Sequence, residues 1–328
     1  MQTENLNTDR TETRVVLGVD IGGTSAKFGL VDREGCCLSG GSIPTGAGRP
    51  PAAFFEDLCA AARRLLEGRE SLLAGVGIGA ANANFYTGTI ERSPNLGWEY
   101  VDVRAEIGKH LDVPVAVTND ANAAALGEML FGAARGMRDF IVITLGTGLG
   151  SGIVANGSMV YGADGFAGEI GHTIVDPAGR VCACGRRGCL ETYCSATGLC
   201  RTVQELICDT VLESELRSSS YRDLTARKVS EAAGRGDPLA LAAFESCGDT
   251  LGLKLADAVA HLGPEAVILC GGMAAAGELI LRPTKRSLEK HLFPIYRGKV
   301  KVLPSGLGET NTAVLGAGAL IWNALGEA

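Results

Sequence analysis

The chain has 328 residues, 46% apolar and 20% charged, enough for one large or two moderate domains with real cores and too apolar for a disordered or fibrous chain. Its 30 Lys and Arg stand against 37 Asp and Glu for a formal net charge of −7. No block of clustered positive charge could track a phosphate backbone, so nucleic acid is not an expected partner.

Residues 1–13 are polar and lack an apolar centre, so they read as a tail rather than a signal or a membrane anchor. From Arg14 a β-branched run ends at Asp20, a Gly22-Gly23-Thr24 turn follows, and a second strand runs from Ala26 to Asp32. Next come a helix over Ala52 to Leu66, a buried strand over Gly75 to Gly79 and a strand over Val113 to Thr118 that meets Asn119-Asp120. An Ala-rich helix spans Ala121 to Phe131. The hairpin pattern then repeats: Phe140 to Leu145, a Gly146-Thr147-Gly148 turn, and Ser151 to Gly157. Helices follow over Glu205 to Leu216, Lys228 to Ala233 and Pro238 to Leu262. A last strand, Ala266 to Cys270, enters Gly271-Gly272. Strands alternating with helices mean an α/β fold. The repeat predicts two similar domains, 14–118 and 119–310, with an Ala/Leu-rich helix in 311–328 able to pack back on the first. The long uncharged stretches, Ser71 to Ile90 and Phe140 to Ala163, are studded with Gly and Asn and do not read as membrane spans.

A glycine turn between strands lets backbone N–H groups approach phosphate oxygens with no Cβ in the way. Asp20, at the strand end, could hold magnesium through water, and Thr24 and Lys27 could contact phosphate or simply face solvent. Either turn alone could be an ordinary hairpin; two copies, with Gly271-Gly272 as a third close-approach point, favour a nucleotide. The sequence contains neither a Walker loop, nor a dinucleotide G-x-G-x-x-G, nor a G-x-S-x-G elbow.

Cys182, Cys184 and Cys189 lie within eight residues, with His172 ten residues before the first. Three thiolates and one imidazole make the closed ligand set of a structural zinc site, the alternative being three unliganded core cysteines. The total of 11 cysteines is odd, which fits reduced thiols and metal ligands better than a disulfide framework and points to the cytoplasm. Asn119-Asp120, between strand and helix, offers either a poised general base or merely a helix cap. Glu169, His172 and Glu191 are gathered around the cysteine knuckle and suit a polyhydroxylated ligand whose hydroxyls need directed partners.

These residues carry a family likeness. The motifs are Asp20-Ile21-Gly22-Gly23-Thr24 with Lys27, Pro94-Asn95-Leu96, Asn119-Asp120-Ala121-Asn122, Leu145-Gly146-Thr147-Gly148, and Gly168-Glu169-Ile170-Gly171-His172. To them are added the Cys182 to Glu191 knuckle and Gly271-Gly272. From about Val15 to its end the chain resembles the ROK family of sugar kinases and repressors, within the actin, sugar-kinase and heat-shock ATPase superfamily. The resemblance implies two ribonuclease-H-like domains around a central cleft, with ATP and magnesium on the glycine loops (Asp20, Gly22, Gly23, Thr24, Lys27, Gly146, Thr147, Gly148, Gly271, Gly272) and a hexose between the domains. It implies Asp120 as base, sugar contacts from Gly79, Asn119, Glu169, His172 and Glu191, a structural zinc on His172, Cys182, Cys184 and Cys189, and a homodimer. Where the family usually has Pro-Gly after the Gly79 strand, this chain reads Ala80-Ala81-Asn82-Ala83-Asn84, which puts the Gly79 contact in doubt and raises the idea of a sugar bond from Asn82. The Leu190 to Gly198 stretch resembles the glucokinase branch, so glucose phosphorylated at its 6-hydroxyl is the expected reaction. Fructose, mannose, N-acetylglucosamine, N-acetylmannosamine, a polyphosphate donor and a non-catalytic sugar sensor are the alternatives.

Overall fold

A computed structural model of the chain describes residues 14–46, 48–68, 70–93, 96–308 and 311–327. The expected tail 1–13, and Pro94 and Asn95 of one motif, lie outside the described residues. The chain divides into two compact units: one runs to Gly132 and includes Tyr161–Phe166 and the chain from Leu307 on, the other holds Ala133–Val160 and Ala167–Gly306.

The first unit opens with β1 (Val15–Ile21), β2 (Ser25–Val31) and β3 (Cys37–Pro44), followed by α1 (Pro51–Leu66), β4 (Leu73–Ala80), a small sheet of β5 (Ala83–Asn84), β6 (Thr89–Ser93) and β7 (Trp98–Asp102), then α2 (Val103–Gly108), β8 (Val115–Thr118) and α3 (Asp120–Leu130). The main sheet has the order β3-β2-β1-β4-β8, with β1 antiparallel to β2 and parallel to β4. Alternation along the strands sets its two faces. Leu17 and Val19 join Phe54, Phe55, Leu58 and Trp98 in an apolar core. On the other face a Cβ at Gly18 would lie 2.2 Å from the Val314 carbonyl oxygen, and one at Gly77 would lie 1.8 Å from that of Ala317. These glycines let the C-terminal helix, Thr312–Ala324, lie directly on β1 and β4. Asp20 follows Gly18 by two and points to this same face. Helix α3 packs on the C-terminal helix and on β4, which is why the division falls after Gly132 and not at Asn119 as the strand-to-helix junction suggested. Segment Tyr161–Phe166 is held to this unit by Asn84 Nδ2, which donates to the Asp164 carbonyl at 2.8 Å, and by stacking of Phe85 on Tyr161 at 3.8 Å.

The second unit repeats the plan with β9 (Phe140–Leu145), β10 (Leu149–Ala155) and β11 (Ser158–Met159), then α4 (Glu191–Cys194), α5 (Ala196–Asp209), α6 (Ala226–Gly234), α7 (Pro238–Leu262), β12 (Ala266–Cys270), α8 (Glu278–His291) and β13 (Lys301–Pro304). The order β11-β10-β9-β12-β13 has the same mixture of directions as the first sheet, a duplication consistent with the two related α/β domains expected. Helix α7 begins where Asp237 Oδ1 accepts from the N–H groups of Leu239 and Ala240, with Pro238 at the first helical position, and stops at Gly263 with φ 57°. The helix expected over Glu205 to Leu216 is found at Ala196–Asp209, starting nine residues earlier and ending seven earlier. Ser195 caps its start by accepting from the Gly198 N–H at 3.0 Å, and Arg217 donates to the Ile207 carbonyl in its last turn and to the Leu212 carbonyl beyond its end. Among the described residues, no helix is long and apolar enough to cross a membrane.

Candidate active site

In the first unit, parallel pairing sets Asp20 beside Gly79 and Gly79 beside Thr118 at the ends of β1, β4 and β8. Two residues beyond Thr118, Asp120 is the first residue of α3. A Cβ at Gly79 would meet Ala123 Cβ at 3.3 Å and the Asp120 Cα at 3.6 Å, so the absent side chain lets the start of α3 sit against the sheet. Asn119 caps α3, its Oδ1 accepting from the Ala121 N–H at 2.7 Å, and Asp120 Oδ1 accepts from the same N–H at 2.9 Å. Asp120 meets solvent, yet the protein atoms crowded around it push its carboxyl above the usual range, against the pull of the Ala121 N–H. Asp20 is half-buried, and burial together with the charge of Asp120 pushes it up to about 6, against the pull of Lys27.

Lys27 stands opposite Asp20 across the hairpin, and Thr24 and Lys27 are exposed. The turn is held by Gly22 N–H donating to the Ser25 carbonyl at 3.2 Å, and by Thr45, whose hydroxyl donates to the Gly22 carbonyl at 2.8 Å. Thr45 is fully buried; nothing in the sequence singles it out. Asn82 is exposed and donates one Nδ2 hydrogen to the Arg92 carbonyl at 2.9 Å.

In the second unit the Gly146–Gly148 turn joins β9 to β10. Gly271 packs on Leu145, and the Met273 N–H donates to the Leu145 carbonyl at 3.0 Å, so both glycine stretches meet at one strand end. Gly271 has φ 90° and no room for a Cβ, a structural need. Gly146 and Gly272 have ordinary φ and nothing within 4 Å of a Cβ. Neither backbone strain nor packing explains those two glycines, and both leave open space where a Cβ would stand.

The Gly168 to His172 turn is tied to β10 by Ser151, whose hydroxyl donates to the Gly168 carbonyl and accepts from the Ile170 N–H at 3.1 Å. It brings His172 Nδ1 within 3.7 Å of Cys182 Sγ and 3.8 Å of Glu191 Oε1, and His172 Nε2 within 3.9 Å of Glu169 Oε2. Cys184 Sγ and Cys189 Sγ are 3.6 Å apart, and the four candidate ligand atoms of His172, Cys182, Cys184 and Cys189 all lie within 4.8 Å of one another. Tetrahedral zinc with Zn–S bonds near ~2.3 Å separates its sulfurs by roughly 3.8 Å, so the set fits that ion. The thiols are unequal: desolvation works upward on Cys184, but the Arg186 backbone and guanidinium overcome it and bring it down to about 6. Desolvation and the hydrogen bond to Glu191 push Cys182 up.

Arg180 was not anticipated. Its side chain is 9% exposed. It donates to the carbonyls of Thr192 and Gly198 at 2.6 and 3.2 Å and to Thr202 Oγ1 at 2.8 Å, and its guanidinium stacks on Tyr193 at 4.5 Å. The knuckle is thereby fastened to α4 and α5, and with it Glu191, whose Oε2 would lie 2.9 Å from a Cβ at Gly148.

The ROK family model matches residues 16–324. A glucokinase of Halalkalibacterium halodurans is 36% identical over 94% of this chain and 95% of its own length. A ROK family glucokinase from Streptomyces griseus, solved with glucose and AMPPNP, superposes with a TM-score of 0.80 at 36% identity, covering 93% of this chain and 98% of that one. A xylose repressor of Caldicellulosiruptor bescii is 31% identical over 76% of this chain and 62% of the repressor. The chain belongs to the ROK family.

Proposed function

We propose that this protein is an ATP-dependent glucokinase that transfers the γ-phosphoryl group to the 6-hydroxyl of glucose. The observation that carries the reading is the placement of Asp120, a solvent-accessible carboxylate at the first turn of α3 and within electrostatic reach of Asp20 beside a glycine turn. The same chemistry belongs to the glucokinases it resembles over nearly its whole length.

Asp120 accepts the proton of the 6-hydroxyl as that oxygen bonds to the γ-phosphorus and the bond to the β–γ bridging oxygen breaks, releasing ADP. The cap uses Asn119 Oδ1, which leaves its amide nitrogen as the donor for a sugar oxygen. The Gly79 backbone, Glu169, His172 and Glu191 supply the remaining polar contacts to the hydroxyls. The glycine turns present N–H groups to the phosphates, with Thr24 and Lys27 alongside. A half-buried carboxylate whose proton affinity is raised by burial and by the charge of a second one suits a cation: Asp20 would hold magnesium through water, and that ion would neutralise developing phosphoryl charge. His172, Cys182, Cys184 and Cys189 would hold zinc, which would staple the segments bearing Glu169 and Glu191.

The test is ADP release with magnesium-ATP, and sugar-phosphate formation with polyphosphate in place of ATP, on glucose, mannose, fructose, N-acetylglucosamine and N-acetylmannosamine. Turnover on glucose, lost in Asp120→Asn, is the expected result. Preference for another sugar keeps the mechanism and moves the substrate; tight hexose binding with no turnover would make the protein a sensor.

A further inference from the structure

We infer that Thr197 is a positioning residue for the phosphoryl donor: its hydroxyl sets the direction in which the Gly146–Gly148 turn presents its N–H groups. The inference rests on the reading of that turn as a phosphate loop.

In a planar trans peptide the C=O and the following N–H point in opposite directions. The Ala196 N–H, in the first turn of α5, donates to the Gly146 carbonyl at 2.9 Å, and Thr197 Oγ1 donates to the Thr147 carbonyl at 2.9 Å. With both carbonyls drawn toward the start of α5, the N–H groups of Thr147 and Gly148 are turned away from it. Successive N–H groups fixed in this way form an anion-binding concavity. Open space over Gly146 leaves room for the anion.

The Ala196 bond is made by backbone and any residue would provide it; the Thr197 bond requires a hydroxyl. Thr197 is exposed, so packing gives no reason for a β-branched side chain there. The first hairpin carries the same device from an unrelated stretch of sequence: Thr45 donates its hydroxyl to the Gly22 carbonyl at 2.8 Å and its N–H to the Thr24 carbonyl at 3.0 Å. Two glycine turns, each with a threonine hydroxyl on one of its carbonyls, point to a shared task. Glu191 is held through Cys182 and the Arg180-fastened knuckle rather than by the Thr197 hydroxyl, so the acceptor side depends less than the donor side on a change at Thr197.

Steady-state kinetics of Thr197→Val and Thr197→Ser decide the matter. Losing one oriented hydrogen bond is expected to raise the KM for magnesium-ATP by roughly five- to tenfold. The KM for glucose should stay within about twofold and the Tm should not move, and Thr197→Ser should restore the wild-type value. A magnesium-ATP KM within about twofold of wild type in Thr197→Val overturns the inference. So does a parallel rise in both KM values with a lowered Tm and no rescue by serine, which would mark a structural role. If the wild type itself releases no ADP, the kinase reading fails, and calorimetric AMPPNP affinity without sugar decides about Thr197: equal affinity in wild type and Thr197→Val overturns it.

Discussion

The two glycine hairpins share a plan and differ in charge. In both, a three-residue turn joins antiparallel strands, and Asp20 opposite Lys27 in the first corresponds to Thr144 opposite Gly150 in the second. The first pair brings a carboxylate and an ammonium to the strand ends. In the second, Thr144 Oγ1 accepts from the Gly150 N–H at 3.2 Å and closes on itself. The turn-holding threonines differ as well, Thr45 being fully buried and Thr197 exposed. One duplicated topology thus holds charge at the first turn and hydrogen-bonded backbone at the second, where the cysteine knuckle brings Glu191 beside Gly148.

Several changes would break or sharpen this contrast. The largest effect is expected from Asp120→Asn: a positioned general base contributes roughly 10² to 10⁴ in rate, so kcat should fall by that much with the Tm kept. A variant retaining most of its turnover would remove the catalytic role from the first unit. On the proposed zinc site, chelation verified by metal analysis should raise the KM for glucose roughly 10- to 100-fold with a far smaller change for magnesium-ATP, because the ion would orient its surrounding residues. Unchanged sugar kinetics in the metal-free protein would disconnect the knuckle from the acceptor. Thr45→Val removes a buried donor from the carbonyl of half-buried Gly22 and should cost about 1 to 3 kcal/mol, read as a lowered Tm. Thr197→Val should cost nothing measurable in stability, and equal Tm losses would erase the difference between the two clamps.

What the sequence made legible follows from which interactions are local. Alternating apolar residues before each glycine turn mark the paired hairpins, and the knuckle spacing gathers its own ligands, since Cys182 to Cys189 close through short turns such as the Gly185 N–H on the Cys182 carbonyl at 3.1 Å. Helix α8 was not read because Pro283 lies inside it and ordinarily ends a helix. It is accommodated where a Cβ at Gly248 of α7 would meet Pro283 Cγ at 2.5 Å. Strand β13 is four residues long, too short for a period to appear. Ser151, Arg180, Thr45 and Thr197 act on carbonyls 12 to 50 residues away, and such partners are set only by the fold. The unit boundary was missed for the same reason, since α3 is claimed by a helix from the other end of the chain.

A pH-dependent contrast concerns Asp20 and its uncharged counterpart Thr144. Burial and the charge of Asp120 raise Asp20 from 3.8 to about 6. Between those values the folded protein binds more protons at this site than the unfolded chain does. Its stability should therefore fall as pH rises from about 4 to 6 and stay low above that. Asp20→Asn removes the titrating charge, so in the absence of magnesium and nucleotide it should be more stable than wild type at pH 7.5. Allowing for solvent screening at a half-buried carboxylate, the gain is about 1 to 2 kcal/mol, a rise of a few degrees in Tm, and it should vanish near pH 4. Thr144→Val has no titrating group to remove, and its effect on Tm should be the same at both pH values. Magnesium-ATP should then favour the wild type, because a ligand that binds the folded state stabilises the protein that binds it more tightly. A lower Tm for Asp20→Asn at pH 7.5 without ligand would mean that Asp20 is a stabilising partner within its own hairpin, and the division of charge between the two turns would no longer reflect a task held for the substrate.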